Sequence, residues 1–305
     1  MRYTPARVME EVNGAFRRMP REEVHRLLSR KEPLSLKHRL SMFTERGKPR
    51  IIEVHLRPWV VDRAQIRFFH RVCLRIRSAL ERLLPLYLAD PMVRRVLPLE
   101  PEEQEWVLAA NAGRLQRPQT VVDRLDTTVN FTIPDWQNNF WFLEPNSVGI
   151  GGVHYMPATC ELTGEWVVPA IRRRLPDLRI AFQSDIRQIL LSRFHRHARA
   201  IGRRLRRVAL VEDQSFSGGT DEFGSLAAYF RRNGLAAVTA DPRDVALWRD
   251  QITVGGRPVE LIYRDSEINE ILEMGRGKGG PLHRRHPGGV PAQPGDLLGR
   301  RRVRP

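Results

Sequence analysis

The stretch VALVEDQSFSGGTDEFGSLAAYFRRNGLAAVTA, residues 208–240, decides the fold class. It opens with a short apolar run, continues with apolar residues three and four positions apart, and closes with AAVTA after Gly234. The first and last segments are typical of buried strands, and the middle one, over 221–233, is typical of a helix that ends at a glycine. A strand, a helix and a second strand predict a small α/β unit with helices on its sheet.

The flanking segments extend this unit in both directions. Upstream, Ser184 is suited to cap an amphipathic helix that has one apolar face and one arginine-rich face. The apolar face comprises Ile186, Leu190, Phe194, Ala198, Ile201 and Leu205, and the other face Arg196, Arg199, Arg203 and Arg207. Downstream, residues 242–248 predict a short helix, and ITVGGRPVELIY over 252–263 predicts a hairpin that turns at Gly255 and Gly256.

Charged residues follow two of the predicted strands. They are Glu212, Asp213, Arg264 and Asp265. Ligands of open α/β sheets bind beyond the carboxyl ends of the strands, so we expect these side chains to face a ligand.

The N-terminal third reads as helical. Apolar residues recur three and four positions apart over 8–16, 24–28 and 60–84, and a further helix is predicted over 102–110. Prolines that should separate the helices are Pro20, Pro33, Pro58 and Pro85. Near Pro118 the chain changes character, because β-branched and aromatic residues begin to alternate with polar ones.

A β-hairpin is predicted between residues 124 and 146. The strand-like runs DTTVNFTI (126–133) and FWFLEP (140–145) flank a loop that contains Pro134 and Asp135. A loop centred near Asp135 places Asp126 opposite Glu144. Two like charges in this position repel, so either a cation lies between them, such as Arg124 or Mg²⁺, or the register differs.

The same region offers further ligands. Asn146 lies two residues beyond Glu144 on the same face, and carboxylate and amide oxygens suit Mg²⁺ beside a nucleotide. The turn that follows contains Ser147, Gly149, Gly151 and Gly152, small residues whose backbone amides could approach a phosphate. The alternative is a surface hairpin without a ligand, followed by an ordinary glycine turn.

Together, the RLD strand (124–126), the LEPN strand (143–146) and the glycine turn resemble the circularly permuted ATP-grasp ligases, the group of glutathione synthetase and glutathionylspermidine synthetase. In that group an Arg-x-Asp strand precedes a Glu-x-Asn strand by a similar interval. The resemblance implies Mg²⁺ and ATP as cofactors, with Glu144 and Asn146 as Mg²⁺ ligands and Asp126 near the metal or structural. It also implies that ATP activates a substrate carboxylate as an acyl phosphate, which an amine then attacks.

The resemblance continues into residues 208–265, which look like the family's Rossmann-like substrate domain. Tyr263, Arg264 and Asp265 occupy the strand end that faces the substrate, and Arg124 completes the proposed substrate-binding set. Arginine is suited to hold a carboxylate through paired hydrogen bonds. The alternative for Arg264 is a surface salt bridge with Asp265 or Glu267.

Three features depart from the family pattern. A glycine pair occupies the position where glutathione synthetase offers serines to its peptide substrate, which leaves the substrate acid and amine open. The lobes that hold the nucleotide follow the matched segment in the family, and this chain has no room for them. Lys31, Lys37 and Lys48 are the only lysines before Lys278, so the matched region has none to reach a phosphate. We therefore expect this chain alone to be inactive.

We predict four parts: a helical region over 1–117, the hairpin and glycine turn over 118–183, the substrate domain over 184–274 and a disordered basic tail over 275–305. The tail reads like a translation of GC-rich DNA in a wrong frame. We hypothesise a frameshifted or truncated gene, which fails if neither alternative frame encodes a lysine- and acid-bearing α/β continuation.

The amino-acid composition limits the other classes of protein that this sequence could belong to. The 305 residues are 41% hydrophobic, enough for a real core, and no run of about 18 apolar residues is present, so we expect a cytoplasmic protein without a membrane partner. Cys73 and Cys160 should be reduced and buried. The net charge of +16 admits a nucleic-acid-binding protein as a less favoured alternative, and a non-catalytic domain that binds a small ligand or another subunit remains open.

Overall fold

The computed structural model describes residues 5–43, 49–111, 122–130, 133–148, 150–214 and 219–276. The predicted tail beyond residue 276 lies outside this range. The described chain is a mixed α/β structure. Its helices are α1 (Pro5–Arg17), α2 (Arg21–Lys37), α3 (Arg63–Ala89), α4 (Pro91–Val96), α5 (Pro101–Asn111), α6 (Tyr155–Trp166), α7 (Val168–Arg174), α8 (Ile186–Ala200), α9 (Glu222–Arg232) and α10 (Ile268–Arg276).

The strands form four small sheets. They are β1 (Ser41–Phe43), β2 (Pro49–Ile51), β3 (Arg124–Thr128), β4 (Trp141–Asn146), β5 (Arg207–Val211), β6 (Gly219–Thr220), β7 (Ala236–Ala240), β8 (Val245–Trp248), β9 (Gln251–Val254), β10 (Arg257–Pro258) and β11 (Leu261–Arg264). Their orders are β2-β1-β6, β3-β4, β11-β5-β7 and β10-β9-β8. Within the described part of the chain, no helix is long and apolar enough to cross a bilayer.

The predicted α/β unit is confirmed. Strands β11, β5 and β7 are parallel neighbours, and α8 and α9 pack on one face of their sheet. The core on that face contains Phe194, Leu210 and Phe230, each at most 5% exposed. A second cluster, which includes Val211 and Val259, covers the opposite face. The α9 helix ends as predicted, because Gly234 follows it with φ +84°, a conformation that favours glycine.

Three local predictions for this unit need correction. Residues 242–248 are not one helix: Asp241 caps a single 3₁₀ turn by accepting from the Arg243 amide at 2.8 Å, and β8 follows at once. The cap of α8 is Asp185, whose carboxylate accepts from the Arg187 amide, and not Ser184. The turn at Gly255 and Gly256 is confirmed, but β11 leaves that hairpin and pairs with β5.

A second core joins the N-terminal helices to α6 and α7. Val12 from α1, Leu27 from α2, Leu162 from α6 and Ile171 from α7 are buried together. The Trp166 indole N–H donates to the Leu27 carbonyl at 2.6 Å, which fixes α2 against α6. The sequence predicted neither α6 and α7 nor the short strands β1 and β2. Pro33 and Pro85, expected between helices, lie inside α2 and α3.

The predicted hairpin is present, and aromatic rings attach its loop to α3. Phe68 from α3 contacts Trp136 and Phe140 edge-on, with ring centroids 5.0 and 5.3 Å apart. The prediction for the cysteines is half right, since Cys73 and Cys160 are free thiols but only partly buried.

Candidate functional site

The register of the hairpin is the one that the sequence predicts. Asp126 pairs with Glu144, and Arg124 pairs with Asn146, so the four side chains share one face near the strand ends. The register shifts between Asp126 and Thr127, which leaves Leu143 without a partner on β3. Such a bulge re-aims the neighbouring side chains and is common beside functional sites.

Arg124 is the cation that relieves the repulsion between the two carboxylates. Its Nε donates to Asp126 Oδ1 at 2.9 Å and its Nη2 to Oδ2 at 3.2 Å, while Nη1 donates to the Gly151 carbonyl at 3.1 Å. These bonds lower the pKa of Asp126, and the same carboxylate raises the pKa of Arg124. Both oxygens of Asp126 are therefore engaged by arginine.

Glu144 forms no bond to Arg124 among the described residues, whereas Asn146 interacts with Asp126 and acts to lower the pKa of that carboxylate. Glu144 is exposed, and the Asn146 amide nitrogen lies 3.5 Å from Glu144 Oε1. Rotating the amide by half a turn would present its oxygen beside the Glu144 carboxylate. One carboxylate and one amide oxygen fit Mg²⁺, which completes its shell with water and phosphate oxygens. Asp126 does not fit as a ligand while Arg124 holds both its oxygens.

The glycine turn is held in place by hydrogen bonds from its own side chains and backbone amides. Ser147 donates its hydroxyl to Asp123 at 2.7 Å, and Gly152 has φ +94°. A Cβ on Gly151 would lie 3.4 Å from Arg124 Nη1 and 3.8 Å from Glu222 Oε2, so the turn runs between these two side chains. Gly149, the fourth residue predicted to face a phosphate, lies outside the described residues.

Glu222 connects the turn to the α/β unit. Its carboxylate is buried at the start of α9 and accepts from the backbone amides of Gly152 at 3.0 Å and His154 at 2.6 Å. Burial raises its pKa, whereas the amide hydrogen bonds act to lower it. The Gly152 amide, which we expected to approach a phosphate, is thus occupied by a carboxylate from α9.

His154 follows this turn and is also buried, at 5% exposure. Its two ring nitrogens have no hydrogen bond of good geometry among the described residues, although an interaction with the backbone of His38 acts to raise its pKa. Burial and the nearby charge of Arg187 lower its pKa to about 4, so the ring is neutral near pH 7. The ring contacts Tyr155 edge-on, with centroids 5.6 Å apart.

Acidic residues gather at the carboxyl end of the parallel sheet. Glu212 follows β5 and Asp265 follows β11, and the Asp265 amide donates to the Val211 carbonyl at 2.9 Å. Burial raises the pKa of Glu212 to about 7, and the charges of Asp265, Asp221 and Glu222 act in the same direction. The pKa of Asp265 is raised by burial and by Glu270. This edge therefore has an excess of acidic groups.

Tyr263 and Arg264 do not share a face, because successive strand residues point to opposite sides of a sheet. The Tyr263 ring packs in the core against Phe194 and Phe223, with both centroid distances 5.6 Å. Burial, Glu222 and Asp265 raise its pKa. Arg264 lies on the other side, where it donates to the Ser266 carbonyl and where burial lowers its pKa.

The hairpin and the sheet edge meet at Glu222. Its charge raises the pKa of Arg124 on one side and the pKa values of Glu212 and Tyr263 on the other. Glu222 was not among the residues predicted to form the site. A usable signal was present, since Glu222, Leu226 and Phe230 are four residues apart and place an acid on the apolar stripe of α9. Among the described residues, no three His, Cys, Asp or Glu side chains form a metal-binding group.

No family model and no curated protein match this chain. Among solved structures, it is similar to a glutathione synthetase-like effector from Globodera pallida in its apo form. The TM-score is 0.53 and the identity 12%, and the match covers 92% of this chain and 63% of the other. The likeness concerns the fold, and this chain spans less than two thirds of that structure.

Proposed function

We propose that this chain is the hairpin and substrate-domain part of a circularly permuted ATP-grasp protein, related to the carboxylate–amine ligases of the glutathione synthetase and glutathionylspermidine synthetase group. One observation carries the proposal. The Arg-x-Asp strand and the Glu-x-Asn strand pair in register, with Asp126 opposite Glu144 and Arg124 opposite Asn146. The similarity in fold to a glutathione synthetase-like protein supports it.

In this proposal Glu144 and Asn146 hold Mg²⁺, since they provide the exposed carboxylate and the adjacent amide oxygen. Asp126 orients Arg124, and Arg124 fixes the Gly151 carbonyl and so the position of the turn. Mg²⁺–ATP, when bound, would supply the phosphoryl group that activates a substrate carboxylate. Ser147, Gly151 and Gly152 shape the nucleotide side of the site, although the Gly152 amide is engaged by Glu222.

The sheet edge is better suited to the amine than to the acid. Burial raises the pKa of Glu212 and of Asp265, and the charges of neighbouring acids act in the same direction. A bound ammonium group would relieve this repulsion. Arg264 is engaged by the Ser266 carbonyl through Nη1.

The residues described between 122 and 276 include no lysine, so the groups that hold ATP phosphates in the family must come from other lobes. Two apolar residues of β4 are suited to receive such a lobe, since Trp141 is 65% exposed and Leu143 is 67% exposed. We propose that this chain binds Mg²⁺ by itself but requires those lobes for turnover.

Thermal unfolding with and without Mg²⁺ and ATP tests the proposal, because a ligand of the native state raises the unfolding temperature. We expect Mg²⁺ to stabilise the wild type, ATP to add little without the other lobes, and Glu144→Gln to abolish the effect of Mg²⁺. Glu105→Gln is the matched control, since it removes an exposed carboxylate from α5. Equal shifts in the wild type and in Glu144→Gln would exclude a metal site at the hairpin.

A further inference from the structure

A groove of about 690 Å³ lies between α2 and α7 and shares no lining residue with the hairpin site. Its lining residues are Glu23, Arg26, Leu27, Arg30, Arg173 and Arg174. Four guanidinium groups thus face a single carboxylate. Since the groove is rich in positive charge, its chemistry differs from that of the acidic sheet edge.

Glu23 organises the α7 side of the groove. Its Oε1 accepts from Arg173 Nη2 at 2.8 Å and from Arg174 Nη1 at 3.2 Å, and its Oε2 accepts from Arg174 Nη2. The hydrogen bond from Arg174 is the main cause that lowers the pKa of Glu23 to about 2. Arg174 also donates to the Ala170 carbonyl at 3.2 Å. Both arginines are held in place before any ligand arrives.

The α2 side contributes charges without partners. Arg26 and Arg30 are exposed and four residues apart on one helix face, and neither forms an ion pair within the part of the chain that the structure describes. Like charges at this spacing repel. An anion bound between them would remove that repulsion.

The groove has a rigid floor. Leu27 is 7% exposed, and its carbonyl accepts the Trp166 indole N–H at 2.6 Å, so α2 cannot shift relative to α6 without breaking this bond. A preformed site binds more tightly because less ordering is required on binding. The volume lies in the range of small-molecule sites, about 300–1,000 Å³, and is small for a nucleic-acid surface.

We propose that this groove binds a small molecule that carries two or more phosphate groups. Guanidinium groups match phosphate oxygens through paired hydrogen bonds, and four of them outnumber the one carboxylate. Arg173 and Arg174 provide the fixed side, and Arg26 and Arg30 close on the ligand from α2. This site is independent of the function proposed for the hairpin and needs no metal.

Calorimetric titration of the full chain with inorganic tripolyphosphate, in the presence of EDTA, tests the proposal. Chelation removes any contribution from a metal at the hairpin. We expect saturable binding, with Arg26→Gln/Arg30→Gln weakening it by about a hundredfold, because two charged hydrogen-bond donors to the phosphates are lost. The control is Arg67→Gln/Arg71→Gln, which removes two exposed arginines with the same spacing from α3. It should bind like the wild type.

Three outcomes would overturn the proposal. The first is tripolyphosphate binding that is unchanged in Arg26→Gln/Arg30→Gln. The second is an equal loss in that variant and in the α3 control, which would mean non-specific attraction to the basic surface. The third is binding of a single-stranded RNA oligomer in an experiment where tripolyphosphate does not bind. Circular dichroism of each variant distinguishes loss of the site from loss of the fold.

Discussion

Asp126 lies directly opposite Glu144 across the hairpin, and the structure keeps these two carboxylates together by clamping Asp126 to Arg124. Facing like charges destabilise a strand pair unless a cation compensates. In this structure the compensating cation is the guanidinium group of Arg124. We propose that the same face offers Glu144 and Asn146 to a second cation.

Replacing Arg124 with glutamine should expose the repulsion between Asp126 and Glu144. We expect Arg124→Gln to unfold at a lower temperature and to be stabilised by Mg²⁺ more strongly than the wild type, because the metal then takes over the role of the guanidinium. Thermal unfolding with and without Mg²⁺ measures both effects, and Arg67→Gln on α3 is the control. An unchanged unfolding temperature and an unchanged response to Mg²⁺ would show that Arg124 does not balance the pair.

Glu222 should matter for stability more than a typical helix-terminal acid, because it accepts from two backbone amides of another segment. Glu222→Gln replaces one acceptor oxygen with a donor, which leaves a buried N–H without a partner. We expect a loss of about 2 kcal/mol in the free energy of unfolding, measured by urea denaturation. Glu105→Gln should change it by less than about 0.5 kcal/mol. Equal values for both variants would contradict the role assigned to Glu222.

Glu212 should make the protein less stable as the pH rises. Its pKa is about 7 in the fold and 4.5 in the unfolded reference, so the folded state retains the proton longer, and stability falls between about pH 4.5 and 7. After a discount for partial exposure to solvent, we expect Glu212→Gln to gain about 1–2 kcal/mol relative to the wild type at pH 7. The gain should vanish at pH 4. A difference that does not vary with pH would refute this.

His154 should make the protein less stable as the pH falls, which is the opposite of the effect of Glu212. Its pKa is lowered to about 4 from 6.5, so the unfolded chain binds the proton first, and stability is lost as the pH falls from 6.5 toward 4. His154→Phe keeps an aromatic ring against Tyr155 and removes the titration. Urea denaturation measures the change that this substitution causes in the free energy of unfolding. We expect that change to be more favourable at pH 5 than at pH 7.5, by about 2 kcal/mol. Parallel stability curves for the two proteins would refute the assignment.

The sequence predicted the elements whose patterns are local. AAVTA became β7 residue for residue, and the spacing about Asp135 placed Asp126 opposite Glu144. It failed where a short segment is decided by the strands it pairs with. The three-residue strand β1 pairs with β6 across the chain, and residues 245–248 pair with β9 although their composition is compatible with a helix. Tertiary pairing overrides weak local preference in both cases.

The candidate site also contains some residues that local sequence patterns predict and others that they do not. Arg124, Asp126, Glu144 and Asn146 were predictable together, since period-two alternation puts them on one face. The burial of Glu222 was signalled by its position on the apolar stripe of α9, but its partners were not predictable, because the amides it accepts from lie about 70 residues earlier in the chain. The prediction that Tyr263, Arg264 and Asp265 occupy one substrate-facing strand end left out the alternation of strand residues, which sends Tyr263 into the core.

Paramagnetic broadening of backbone amide resonances by Mn²⁺, used in place of Mg²⁺, tests the metal site most directly. The proposal predicts that substoichiometric Mn²⁺ broadens the amides of Glu144, Asn146, Ser147, Gly151 and Gly152 in the wild type, and that Glu144→Gln loses this effect. Broadening centred on the acidic sheet edge at Glu212 and Asp265, or unchanged broadening in Glu144→Gln, would contradict the assignment of the hairpin as a Mg²⁺ site.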